Sequence, residues 1–262
     1  MTLSDTLVVT ATLGNRPSLE KTIHSVKTIG GDRVKHVIVA PSRVCSLIRE
    51  KYPHLTVLRE PDNCKGIYAA VNFGLKLYAR EYKYLTYIND DDFWYPDFRY
   101  LFKAMDQGGA DVVYGRVNFL DVNGKITGEQ TCSPRYQDFG NLLQQNVVLF
   151  TQQATLTRSE LFLQLGGFDE KFKLVADTKF WLDAIHAGAK FRYVNKICAG
   201  YTMQHDQLSS NKKLQKEETE QLILSYEVPN PFQAILKVML FRLWNSKIYM
   251  KRLFKKNKAR AV

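Results

Sequence analysis

Three consecutive aspartates, Asp90, Asp91 and Asp92, follow the apolar run 84–88 and run directly into Phe93, Trp94 and Tyr95. Like charges side by side repel, so without a cation their ionisation is costly or a pKa rises. A hard divalent cation removes that cost, and Mg²⁺ in particular is held by one or two carboxylates together with substrate phosphates. The same residues also suit a solvated turn, since Asn and Asp favour such turns. The elements around the cluster weigh between the two readings.

Residues 6–12 form a short β-branched apolar run of the kind expected for a buried parallel strand. Pro17 opens an amphipathic helix carrying Leu19, Ile23 and Val26 on one side. Strands are predicted over 36–40, 56–60 and 84–88, with helices over 42–51 and 66–80 between them. This alternation predicts an α/β fold with a mostly parallel sheet and helices on both faces. Ligands of such sheets bind beyond the carboxyl ends of the strands, which is where the aspartates fall. The second half reads differently. A hairpin is expected around Asn123-Gly124, a helix from Ser159 with a stop at Gly166-Gly167, a helix over 175–187 and a strand over 190–201. This mixed region would form the other wall of a cleft.

With 262 residues, 45% hydrophobic and 24% charged, the chain is that of an ordinary globular protein. No run is long enough to be a transmembrane helix and no secretory signal is expected. The four cysteines (Cys45, Cys64, Cys132, Cys198) form no CxxC pair and read as reduced thiols of a cytoplasmic protein. Of the net charge of +11, nine positive charges come after residue 230, where no acid occurs, leaving +2 on the rest.

Four stretches, taken in order, resemble the family 2 glycosyltransferases of the GT-A fold. They are LVVTATLGNRPSLEKTIHSV, EPDNCKGIYAAVNFGL, YLTYINDDDFWYPD and QQATLTRSELFLQLGGFDEKFKLVADTKFWLDAIHAGAKFRYV, within about residues 6–205. The resemblance implies inverting transfer of a sugar from a nucleotide diphosphate sugar, with a divalent cation, Mn²⁺ or Mg²⁺, as cofactor. It assigns the cation to Asp91 with Asp92, and His205 on a late loop beside the diphosphate. Three adjacent aspartates allow more than one register of the D-x-D motif, and Asn89 stands where relatives place its first acid. The donor would be met by Thr10 and Thr12 in the nucleoside pocket, Asp62 at the base, Lys65 at the diphosphate, and by Asn72, Asn89 and Asp90. Ala40-Pro41-Ser42 replaces the acid that usually follows the second strand, two extra residues separate Asp62 from Gly66, and Ala69 replaces an acid. These departures leave the nucleotide open.

Inverting transfer needs a base to take the proton of the attacking hydroxyl. By the resemblance this is Asp177, at a helix start, where N-capping is the rival role. Asp169 and Asp183 are expected to be structural or peripheral. Trp94 and Trp181 would either stack on a sugar or pack in the core. The organisation expected is a catalytic domain over 1–228, with a nucleotide-sugar half to about 115 and an acceptor half over 116–228, followed by a basic amphipathic tail over 229–262. The tail suits an interfacial helix on an anionic membrane, packing on the catalytic domain being its rival; a nucleic-acid partner is not expected. A glycan acceptor, lipid-linked and belonging to bacterial surface polysaccharide synthesis, follows from the resemblance and the tail. The expected location is cytoplasmic, on the inner face of the membrane. Rival functions are a nucleotidyltransferase of related fold, disfavoured by the lack of a glycine-rich basic loop after the first strand, and a non-catalytic nucleotide-sugar or membrane-binding protein.

Overall fold

The structure, a computed structural model, describes residues 5–204, 210–226 and 231–260. In chain order the first half contains β1 (Thr6–Ala11), α1 (Leu19–Gly30), β2 (Val34–Ala40), α2 (Ser42–Lys51), β3 (Thr56–Arg59), α3 (Ile67–Tyr78), β4 (Tyr84–Tyr87), β5 (Phe93–Trp94) and α4 (Arg99–Asp106). The second half adds β6 (Val112–Leu120), β7 (Ile126–Glu129), α5 (Phe139–Gln144), β8 (Thr155–Arg158), α6 (Ser159–Gln164), α7 (Ala176–His186) and β9 (Phe191–Thr202). Three helices follow, α8 (Lys212–Leu224), α9 (Pro231–Trp244) and α10 (Ser246–Arg260).

The strands form one sheet in the order β3-β2-β1-β4-β8-β6-β9-β5, with β7 paired to β6. The first four run parallel, β8 enters antiparallel between β4 and β6, and β6 and β9 are again parallel. The expected mostly parallel α/β architecture is thus present, with β5, β7 and β8 as the antiparallel members. Both faces are covered, which is why β1 reads as an unbroken apolar run. Leu7 and Val9 join a core with α3, α5, α6 and α7, while Val8 faces the core of α1 and α4. Pro17 lies just ahead of α1 instead of inside its first turn.

Trp94 and Trp181 are core residues at 3% and 2% exposure, Trp94 stacked on Phe98 with centroids 3.8 Å apart. Of the two roles expected for them, packing is the one observed. The glycine stop after α6 also has a specific cause. Gly167 has φ +85, and a Cβ there would meet Asn72 Oδ1 at 2.7 Å and Lys76 Cε at 2.9 Å. Gly167→Ala is expected to destabilise the fold by about 2 kcal/mol, checked as a lowered urea midpoint with an unchanged slope.

The tail is not one helix but two. The inner side of α9 packs against α5, burying Ala234, Val238 and Phe241. Lys237 Nζ pairs with Asp138 at 2.7 Å. Asn245 Oδ1 accepts the backbone N–H of Cys132 at 3.1 Å, and Arg252 donates to the Glu129 carbonyl at 2.6 Å.

Candidate active site

The parallel pairing of β1 with β4 sets the ends of these strands side by side. The loop after β4 carries Asn89 and the aspartates, and the loop after β1 carries Thr12 and Arg16. Thr12 donates its hydroxyl hydrogen to Asp90 Oδ2 at 2.6 Å and accepts from the backbone N–H of Gly14 at 3.0 Å. Arg16 pairs through Nη1 with Asp91 Oδ2, and its Nε lies 3.6 Å from Asp90 Oδ1. Burial lifts the Asp90 carboxyl above its usual range, with the Thr12 hydrogen bond opposing.

The third aspartate differs. Asp92 is fully buried and accepts from Gln153 Nε2 at 2.8 Å, the backbone N–H of Thr202 at 2.9 Å and Asn89 Nδ2 at 3.2 Å. Burial, and then the charge of Asp91, push its pKa well up. It ties the end of β4 to the segment before β8 and to the end of β9. Asp90 and Asp91 line a cavity of about 450 Å³, whereas Asp92 is not among the lining residues.

The first turn of α7 brings Asp177 to that cavity. Asp177 Oδ1 accepts from Tyr68 OH at 3.1 Å and from the backbone N–H of Thr178 at 2.7 Å; Oδ2 takes neither bond. Burial raises its pKa, against the pull of these donors. The N-cap position of α7 is Val175, which makes no side-chain cap, so N-capping is not the role of Asp177; inside the first turn its carboxylate takes the N–H of the next residue through a single oxygen. Ahead of α7, residues 173–175 are held by a group that sequence reasoning missed. Glu218 of α8 accepts from the backbone N–H groups of Lys173 and Leu174, both at 2.8 Å, and of Val175 at 3.3 Å.

The mixed apolar and polar lining of this cavity includes a set of unpartnered polar atoms. Gln130 Oε1, Thr151 Oγ1, both amide ends of Gln152, Gln153 Oε1 and Asn89 Oδ1 are buried without a hydrogen-bond partner among the described residues. All five residues line the cavity. Buried polar atoms are ordinarily paired, so this cluster suits a ligand that brings hydroxyl groups. Of these five residues sequence reasoning named Asn89 alone; the one signal for the rest was the run of amide-bearing residues at 152–153.

Other expected site residues lie apart. Thr10 is buried, with Oγ1 3.0 Å from His36 Nε2. Burial lowers the His36 pKa to about 3. Asp62 pairs with Arg59 at 2.5 Å. Lys65 is exposed just ahead of α3. Asn72 donates to the Phe168 carbonyl and to Glu170, both at 2.8 Å, and accepts from the Phe168 N–H at 2.9 Å. It thereby fixes the turn that Gly167 opens. None of these four lines the cavity. Asp183 receives Tyr226 OH at 2.5 Å and Lys179 Nζ at 2.7 Å, away from the site. His205 lies outside the described residues.

The family model described as Glycosyl transferase family 2 matches residues 7–166, over half of the chain. The chain belongs to glycosyl transferase family 2. Among solved structures, S. aureus TarS 1-349 in complex with UDP-GlcNAc is similar with a TM-score of 0.62 and 17% identity, over 88% of this chain and 69% of that one. The mannosyltransferase PcManGT from Pyrobaculum calidifontis, in complex with GDP-Man and Mn²⁺, is similar with a TM-score of 0.58 and 16% identity, over 100% of this chain and 76% of that one. Such likeness establishes the GT-A fold for this family 2 member. No curated protein matches the sequence.

The residues present fit a divalent cation of the kind that accompanies family 2 chemistry. Asp90 and Asp91 offer hard oxygens at the cavity, and the Arg16 guanidinium already places a positive charge against both. No group of three or more His, Cys, Asp or Glu that could hold a metal occurs among the described residues. A cation held by Asp90 and Asp91 would need further ligands, of the kind substrate phosphates supply.

Proposed function

We propose that this family 2 enzyme transfers a sugar, with inversion, from a nucleotide diphosphate sugar to a hydroxyl of a glycan acceptor. The observation that carries this reading is the placement of Asp177 and of the Asp90–Asp91 pair on one cavity lined between them by unpartnered amides. Asp177 Oδ2 would take the proton from the acceptor hydroxyl as it attacks, while Tyr68 and Thr178 keep the carboxylate oriented through Oδ1. Its burial raises its affinity for that proton. Asp91 and Asp90 would hold Mn²⁺ or Mg²⁺, which supplies Lewis acidity toward the departing diphosphate. Arg16, within reach of the same carboxylates, would neutralise phosphate charge once displaced from them. Asp92 and Asn72 act here by holding the walls in place.

In this reading residues 1–228 form the catalytic unit, the half to about 115 meeting the donor and 116–228 the acceptor. The acceptor is a lipid-linked glycan of a bacterial surface polysaccharide, met at the cytoplasmic face of the membrane through 229–262. No helix among the described residues is long and apolar enough to cross a membrane.

The test is incubation with a panel of nucleotide sugars and Mn²⁺ or Mg²⁺. Donor hydrolysis or transfer that disappears with EDTA, and falls on the order of 10²–10³-fold in Asp91→Asn, is the expected result. Release of pyrophosphate would instead indicate nucleotidyl transfer. Binding without turnover would indicate a non-catalytic carrier of nucleotide sugars.

A further inference from the structure

The segment 231–253 is apolar on two opposite sides, and among the described residues only one of them meets protein. Ala234, Val238 and Phe241 recur at i, i+4 and i+7 and are buried against the domain. On the other side of α9, Ile235, Leu236, Met239 and Leu243 are 51, 55, 57 and 69% exposed. Trp244 is 60% exposed at the helix end, and Met250 and Leu253 are 51% and 58% exposed on α10. A helix that is apolar all round belongs in an apolar surrounding on every side, so the outer face of α9 lacks its second apolar phase. Single exposed leucines need no explanation, but a contiguous group of this kind does.

The charges beside this face identify the missing phase. Arg242, Lys247, Lys251 and Arg252 are exposed along the two helices. From residue 231 to the end the chain contains nine Lys or Arg and no acid. A second copy of this chain would bring the same positive face, so self-pairing would set like charges together. Nucleic acid would match the cations but not the outward Leu and Met side chains. An anionic bilayer surface satisfies both, taking the apolar side chains below the headgroups and the cations beside the lipid phosphates.

We propose that the outer face of α9 and the beginning of α10 seat in the plane of an anionic lipid bilayer, next to the mouth of the transfer cavity. The position follows from Arg252, which lies on α10 and also lines that cavity. Pinning of the two helices by Lys237–Asp138, Asn245–Cys132 and Arg252–Glu129 makes the seat continuous with the catalytic walls. The inference rests on the sugar-transfer reading for its purpose, delivery of a lipid-borne acceptor, and not for the binding itself.

The test is co-sedimentation of the full chain with vesicles of phosphatidylcholine alone or with about a third phosphatidylglycerol. Pelleting with the anionic vesicles only, weakening as salt is raised, is expected. A Leu236→Gln/Leu243→Gln variant, altered only at exposed positions, should bind tenfold or more weakly with an unchanged melting temperature. Trp244 gives an independent signal, because the other two tryptophans are buried, and its emission should shift to the blue on anionic vesicles. No pelleting of the wild type, equal pelleting with neutral vesicles, or an unaffected double variant would each overturn the proposal. A dimer in solution that the same substitutions dissolve would assign the face to a second copy and overturn it as well. Vesicle binding that persists when no nucleotide sugar is turned over would leave this surface standing and remove the transferase reading alone.

Discussion

Asp177→Asn should nearly abolish transfer, by about 10²–10⁴-fold in kcat, and at the same time raise the melting temperature at neutral pH. Both effects have one cause. Asp177 is buried, and burial raises its pKa, so the folded protein binds its proton more tightly than the unfolded chain does. The stability this provides is fully present below the ordinary carboxylate pKa and is lost as pH rises through the raised folded value. At neutral pH the wild type therefore carries the cost of a buried charge, and asparagine removes it. Asparagine can keep all three existing hydrogen bonds, because Tyr68 OH and the Thr178 N–H and hydroxyl converge on Oδ1 alone. Melting curves of the two proteins should separate most at about pH 8 and converge towards about pH 4. The acid limb of the wild-type kcat/KM profile should lie above the ordinary carboxylate range. A variant as unstable as an ordinary core lesion, or one still active, would remove Asp177 from the base role.

The legible and illegible parts of this chain divide along physical lines. β1, β2 and β4 were visible because both of their faces are buried, which leaves short β-branched runs in the sequence. The hairpin at Asn123-Gly124 was visible because Gly124 needs a positive φ (77). Asp90 and Asp91 were placed at the sheet edge by the strand end before them and Asp177 by the family resemblance; all three line one cavity. Hydrogen bonds between distant segments were invisible. Three adjacent aspartates look alike in sequence, and what singles out Asp92 is Gln153, 61 residues away, and Thr202, 110 residues away. Asn72 was expected at the donor, but its partners Phe168 and Glu170 lie 96 and 98 residues on. The tail showed its composition but not that one apolar side would be used by the domain and the other left outward. Periodicity reports which side chains share a face, and it carries no information about what that face meets.

Glu218 is the extreme case of such a hidden contact, and its replacement by alanine should be among the most damaging single changes in the protein. It sits in the run Lys216-Glu217-Glu218-Thr219-Glu220, where nothing distinguishes it from its solvated neighbours. On α8, however, Glu218 and Leu222 are one turn apart and both buried, at 6% and 0% exposure. Its carboxylate takes the N–H groups of Lys173, Leu174 and Val175, the residues that lead into the α7 turn bearing Asp177. Alanine would orphan all three donors. At about 1–3 kcal/mol for each buried unsatisfied group, with some relaxation, the loss should be roughly 3–6 kcal/mol, much of a typical domain's stability. Glu218→Gln should be milder, since the amide oxygen can still serve Leu174 and Val175 while Lys173 loses its acceptor. A purely structural role would only reduce the active fraction, scaling kcat while leaving the pH profile in place. A positioning role predicts more: in Glu218→Gln, kcat falls, the donor KM holds, and the acid limb set by Asp177 moves, because the first turn of α7 shifts against Tyr68.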